Sequence, residues 1–99
     1  MPIQQNISGD SCEFMVAGRV DGAMANELEV QVLAALRDGS NSIYVNLSEA
    51  TFLCSAAIRV LLQHHRQSRN KGKTFLVTRP SPEAAAALEM TGFTGLIEA

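Results

Sequence analysis

The chain has 99 residues, 46% of them hydrophobic, and sets 8 Lys and Arg against 10 Asp and Glu for a net charge of −2. That size suits a single domain spanning residues 1–99, with enough apolar material for a core. The near-balanced charge argues against direct nucleic-acid binding, which usually calls for a strongly basic domain.

The opening MPIQQNISGD has neither the basic n-region nor the apolar h-region of a signal peptide. No apolar run approaches the ~18 residues of a membrane span. The expectation is a cytoplasmic protein with no membrane insertion. Residues 2–8 alternate weakly and predict a short edge strand, and Ser8-Gly9-Asp10 is a turn signal. Residues 13–20, EFMVAGRV, read as a second strand and as the hairpin partner of the first. Asp21 is placed to cap a helix, because its carboxylate can accept a backbone N–H of the first turn. Ala23, Leu28, Val32, Leu33 and Leu36 then recur near helical spacing until Asp38-Gly39.

Residues 42–47, SIYVNL, are rich in β-branched and aromatic residues and predict a buried strand. Residues 48–53 read as a connection. A second helix is expected from Ser55, itself a good N-cap type, to about Asn70, with Gly72 as the residue that ends it. Residues 74–78, TFLVT, form the next strand. Ser81 and Pro82 then open a third helix, as cap and first helical residue. The chain beyond it closes on Thr91-Gly92-Phe93 and a last apolar turn, Leu96-Ile97. The order β-β-α-β-α-β-α predicts an α/β fold: a mixed sheet of about four strands, its parallel part spanned by crossover helices.

The chemistry-bearing residues are sparse. Cys12 and Cys54 lack CxxC spacing and are too few for a disulfide framework, so both are expected as free thiols. Cys54 sits before a helix start, where a thiol can be activated, but it reads first as a small buried side chain. His64 and His65 are adjacent and have no second ligand one helical turn on, so they read as surface or partly buried residues and no metal is expected. Met15, Met24 and Met90 read as core or interface filler. Arg59, Arg66, Arg69, Lys71, Lys73 and Arg79 follow one another with no intervening acid. This run serves either as a solvated helix end whose cations oppose the C-terminal dipole or as a surface for an acidic partner. No Ser-His-Asp ordering, carboxylate pair or Gly-rich phosphate loop is present, so neither an enzyme nor a cofactor is expected.

Three segments resemble the STAS family of sulfate transporters and anti-sigma-factor antagonists. Residues 17–21, AGRVD, look like the family's G-x-(L/I/V)-D. Residues 45–57, VNLSEATFLCSAA, are similar to its signature, roughly (V/L)-D-L-S-x-(V/L)-x-(F/Y)-(M/I)-D-S-(S/T)-G. Residues 88–93, LEMTGF, resemble its L-x-x-(S/T)-G-(L/F). The three occur in family order across nearly the whole chain.

The resemblance implies a bacterial anti-sigma-factor antagonist in transcriptional signal transduction. It binds a GHKL-type serine kinase that is also the anti-sigma factor, is released when its signature loop is phosphorylated, and is restored by a PP2C-type phosphatase. Small proteins of this family also serve as accessory subunits of lipid or anion transport systems, and others regulate signalling outputs with no sigma factor. The partner-binding residues so implied are Asp21, Leu53, Cys54, Ser55, Ala56, Arg59 and Val60, with Leu53, Ala56 and Val60 as the apolar patch and Arg59 at its rim.

The sequence departs from the signature where the switch would act. Cys54 stands for the Asp before the serines, Ala56 for the usual phosphoacceptor, Ala57 for the Gly and Asn46 for the strand Asp. Either Ser55 takes the phosphate, or the protein binds constitutively. At Ser55 the free N–H groups of a helix start would favour an anion. Nearly two added negative charges would oppose an apolar contact.

Overall fold

Period-two alternation places the core. The computed structural model describes residues 2–92 and 95–98, so Phe93, the last residue of the third motif, lies outside the described residues. In β2 (Ser11–Val16) the buried residues are Cys12, Phe14 and Val16; in β4 (Ser42–Asn46) they include Ile43 and Val45; in β6 (Thr74–Thr78) they are Phe75 and Val77. Successive side chains point to opposite faces, so each strand contributes one apolar row. The parallel registers join the rows, with Ile43 between Cys12 and Phe75, and Val45 between Phe14 and Val77. The strand β1 (Ile3–Ser8) adds antiparallel to β2 across a Gly9-Asp10 turn in which Gly9 has φ +62°. The result is the expected mixed four-stranded sheet, in the order β1-β2-β4-β6.

The expected strand over 13–20 breaks in two. After Val16 the chain leaves the sheet at Gly18, whose φ of +83° a side chain would oppose. An added Cβ there would meet nothing within 4 Å, so the demand for glycine comes from the backbone angle and not from space. The freed segment, β3 (Gly18–Val20), pairs in parallel with β5 (Ala50–Leu53), a strand inside the stretch expected to be a plain connection.

The helices cover the apolar rows. In α1 (Gly22–Arg37) Ala25, Leu28, Val32 and Ala35 face the core, while Ala23 and Leu33, expected inward, are exposed. In α2 (Ser55–Asn70) the buried face is Ala57, Leu61, His64, His65 and Ser68. The histidines are therefore buried, contrary to expectation, because each finds a polar partner and burial without one is costly. His64 Nε2 lies 3.0 Å from Glu29 Oε2 on α1, with its ring tilted against Phe75 at 5.8 Å, and His65 Nδ1 donates to the Phe75 carbonyl at 2.7 Å. Lys71 and then Gly72, at φ +70°, end α2 as anticipated. Met15 and Met24 are half-buried, whereas Met90 is exposed. No helix among the described residues is long and apolar enough to cross a membrane.

Ser81 caps α3 (Pro82–Glu89) and also anchors it. Its Oγ accepts from Ala84 N at 3.0 Å and donates to the Ala50 carbonyl of β5 at 2.6 Å, all of it buried. Replacing Ser81 with Ala removes a cap and orphans a buried carbonyl, so Ser81→Ala is expected to destabilise the fold by about 1–3 kcal/mol. Urea denaturation checks this, read as a lower midpoint at unchanged slope.

Candidate functional site

Two strand-to-helix junctions lie side by side. β3 enters α1 through Asp21 and β5 enters α2 through Cys54. Val20 pairs with Leu53 in the parallel register, and Cys54 N donates to the Val20 carbonyl at 3.0 Å. The N-termini of α1 and α2 are therefore held together at one end of the molecule.

The caps differ in kind. Asp21 Oδ1 accepts from Met24 N at 3.0 Å. At α2 the cap is Cys54 and not Ser55: its Sγ accepts from Ala57 N at 3.4 Å, and the thiol is half-buried where a buried one was expected. Sulfur is a weak acceptor. Neither helix has an acid in its first turn. The partial positive charge at α1 therefore meets a carboxylate, while that at α2 meets only sulfur, which leaves α2 with the greater preference for an anion. Ser55 follows the cap as the first helical residue and is exposed at this end.

One outward stripe of α2 continues from Ser55. Ser55, Ile58, Arg59, Leu62, Gln63 and Arg66 line a shallow groove of about 490 Å³. Their spacing of three and four residues puts them on one helix face. Ile58 and Leu62 form a half-buried apolar floor, and the exposed Arg59 and Arg66 stand beside it. Phe52 is 38% exposed near the junction, with the Arg19 guanidinium 4.2 Å from its ring centre.

The residues implied by the sequence fall into three positions. Asp21, Cys54 and Ser55 meet at the paired junctions. Arg59 lies on the groove. Leu53 is buried, and Ala56 and Val60 are half-buried against the core, as Ile58 and Leu62 are. Ile58 and Leu62 line the groove, and Phe52 is the exposed large hydrophobic beside it. Counting three, four and seven residues on from Ser55 would have found Ile58, Arg59 and Leu62.

The basic run does not form one surface. Arg69 sits in the last turn of α2, where a cation complements the dipole, and Lys71 follows it. Arg79 lies across the sheet in a hollow shared with Glu13, Tyr44 and Glu98. Asn46, where the family signature has Asp, accepts from Ser48 N at 2.9 Å and turns the chain out of β4. Its amide also donates to Glu13 at 3.4 Å, a contact in which a second carboxylate would be repelled.

The family model described as "Mlab, STAS domain" matches residues 3–98. No curated protein matches the chain in sequence. Solved structures are similar. The anti-sigma factor antagonist SpoIIAA in its unphosphorylated form superposes with a TM-score of 0.85 at 15% identity, over 97% of this chain and 85% of that one. The Bacillus cell-fate determinant SpoIIAA in its phosphorylated form gives 0.79 at 14% identity, over 97% and 88%. A serine-to-glutamate variant of RsbS from Moorella thermoacetica gives 0.79 at 17% identity, over 100% and 86%. At these identities the likeness establishes the fold.

The weak cap yields a stability test. Cys54→Asp would put a strong acceptor and a negative charge at the start of α2, and is expected to raise stability by about 0.5–1 kcal/mol. Thermal or urea denaturation measures it. A loss of stability would mean that the sulfur matters for packing and not for capping.

Proposed function

The chain belongs to the STAS family, and from that premise we propose that it is the binding member of a partner switch, an antagonist that docks an anti-sigma factor of the serine-kinase type through the start of α2. The observation that carries this reading is the exposed hydroxyl of Ser55 at a helix N-terminus, continuous with a groove of apolar floor and cationic rim. The likeness to structures named as anti-sigma factor antagonists supports it.

Each residue then has a role. Leu53 fixes the loop against the core, and the half-buried Ala56 and Val60 join Ile58 and Leu62 as the apolar side chains at the contact. Asp21 and Cys54 hold the two helix starts and border the contact, and Arg59 meets the partner at the rim. The action is binding and not catalysis. Ser55 is the phosphoacceptor in a switchable form of this mechanism, because Ala56 has no hydroxyl. A phosphate there gains from the α2 dipole and from Arg59 one turn on. It also brings nearly two charges that the docked partner must desolvate. The complex would be lost with the fold intact, and a PP2C-type phosphatase would restore it.

Capture of the partner from the native cell with tagged protein, identified by mass spectrometry and followed by titration with purified components, tests the surface. Arg59→Glu and Ser55→Asp change exposed positions and are expected to fold normally while weakening binding about 10–100-fold, or about 1.4–2.7 kcal/mol. Wild-type affinity in both would place the interface elsewhere, and recovery of a transporter subunit would replace the sigma-factor reading.

Incubation with the captured kinase and ATP, followed by peptide mapping, tests the switch. Phosphate on Ser55 that is absent from Ser55→Ala is the expected result. Tight binding with no phosphate would mean a constitutive antagonist. Phosphate on Ser48 or Thr51, which are also exposed, would move the regulated position upstream.

A further inference from the structure

The two edges of the four-stranded sheet are treated differently. Along β6 the C-terminal segment continues the sheet: Val77 N donates to the Leu96 carbonyl at 2.9 Å, and Glu98 N donates to the Val77 carbonyl at 2.8 Å. Along β1 no further strand pairs among the described residues. Natural sheets usually protect such an edge with charge, proline or a bulge. β1 has no charge and no bulge, and the one proline of this edge, Pro2, stands before the strand. Its sequence, IQQNIS, is uncharged, no charge occurs from Pro2 to Gly9, and its register with β2 runs without a shift.

The register also identifies which backbone groups are open. Ala17 N donates to the Pro2 carbonyl at 2.8 Å, which makes that pair a hydrogen-bonded one. Hydrogen-bonded and non-hydrogen-bonded pairs alternate in an antiparallel ladder. Gln4, Asn6 and Ser8 therefore turn their N–H and C=O groups toward β2, and Ile3, Gln5 and Ile7 turn theirs outward. On the helix side of the sheet the same three residues alternate apolar, polar, apolar, and they differ sharply in cover. Ile3 is 6% exposed and Ile7 is 65% exposed. Beside Ile3 lies a groove of about 430 Å³, lined by Ile3, Ala23 and Met24 together with the charged Arg19, Asp21 and Glu27.

We propose that β1 is a dimerisation edge, occupied by β1 of a second copy of this chain in antiparallel pairing about a two-fold axis at Gln5. In that register Gln5 faces Gln5 of the copy, and Ile3 faces Ile7 of the copy on both sides of the axis. Each pair exchanges both of its backbone bonds, so every outward group of Ile3, Gln5 and Ile7 is satisfied. The exposed Ile7 of each copy comes to lie beside the other's Ile3, at the mouth of the groove. The uncharged strand lets two copies approach without repulsion. The open edge and the exposed isoleucine are thereby explained by one contact, at the edge of the sheet opposite β6.

Sedimentation velocity of the full chain across the micromolar to millimolar range tests the proposal, with a mass rising toward twice the 10.6 kDa of the chain expected. Gln5→Lys places like charges opposite each other at the axis. It is expected to give monomer throughout with an unchanged circular-dichroism spectrum. Cysteine trapping in a Cys54→Ser background reads the register directly. Gln5→Cys should cross-link on mild oxidation, since facing residues of a hydrogen-bonded pair lie about 5.5 Å apart at Cα, within disulfide reach. Asn6→Cys, which this register sets opposite Gln4 of the copy, should not. A monomer at every concentration, a dimer that survives Gln5→Lys, or cross-linking at Asn6 in preference to Gln5 would each overturn the proposal.

Discussion

The backbone turn at Gly18 is the constraint on which the site depends. Had the chain continued straight from Val16, β3 would have extended β2 and the helix after it would have started beyond the end of the sheet. The left-handed angle at Gly18, together with the bond from its N–H to the Glu49 carbonyl at 2.8 Å, turns the chain onto a separate parallel pair. In that pair Val20 lies beside Leu53. Two helices that follow two adjacent parallel strands must begin side by side, and so the caps Asp21 and Cys54 are brought together although 33 positions separate them in the sequence.

Electrostatics then distinguish the two helix starts. The Asp21 carboxylate meets the dipole of α1 within its first turn. The Cys54 sulfur gives α2 no comparable compensation, and the next cation, Arg59, adds positive potential to that end. The exposed hydroxyl of Ser55 stands on the helix where an anion gains most. The replacement of the family's acidic residue by Cys54 thus has a local physical consequence: it removes a negative charge from beside the hydroxyl.

Local rules made much of this legible in the sequence. Weak alternation pointed to β1, β-branched and aromatic content to β4, and side-chain chemistry identified the caps Asp21 and Ser81 and the stop at Gly72. What was missed depends on distant partners. β5 is four residues long and buried only at its ends, Ala50 and Leu53, so it shows no alternation. Glycine in a run such as EFMVAGRV does not announce the sign of its own φ. His64 and His65 read as surface or partly buried because their partners, Glu29 and the Phe75 carbonyl, are brought near only by the packing of α1 and β6 on α2. The candidate surface shifted for the same reason. Leu53 looked available in a loop, but the pairing of β5 with β3 buries it, and the groove on α2 is floored by Ile58 and Leu62.

The sheet order sets the distance between the α2 site and the β1 edge. β1 is separated from β6 by β2 and β4, or three strand spacings of about 4.8 Å, roughly 14 Å in all. α2 packs on β6, on the far side of the sheet from β1. The proposed two-fold axis at β1 would therefore leave both α2 grooves uncovered and hold them in one assembly. For a partner that is itself dimeric, a second docking event would then be intramolecular, and its avidity would exceed that of one groove if the two spacings match. A phosphate on a single Ser55 would remove one of the two contacts and, with it, the whole of that avidity. The response to phosphorylation would then be steeper than one monomeric antagonist could give.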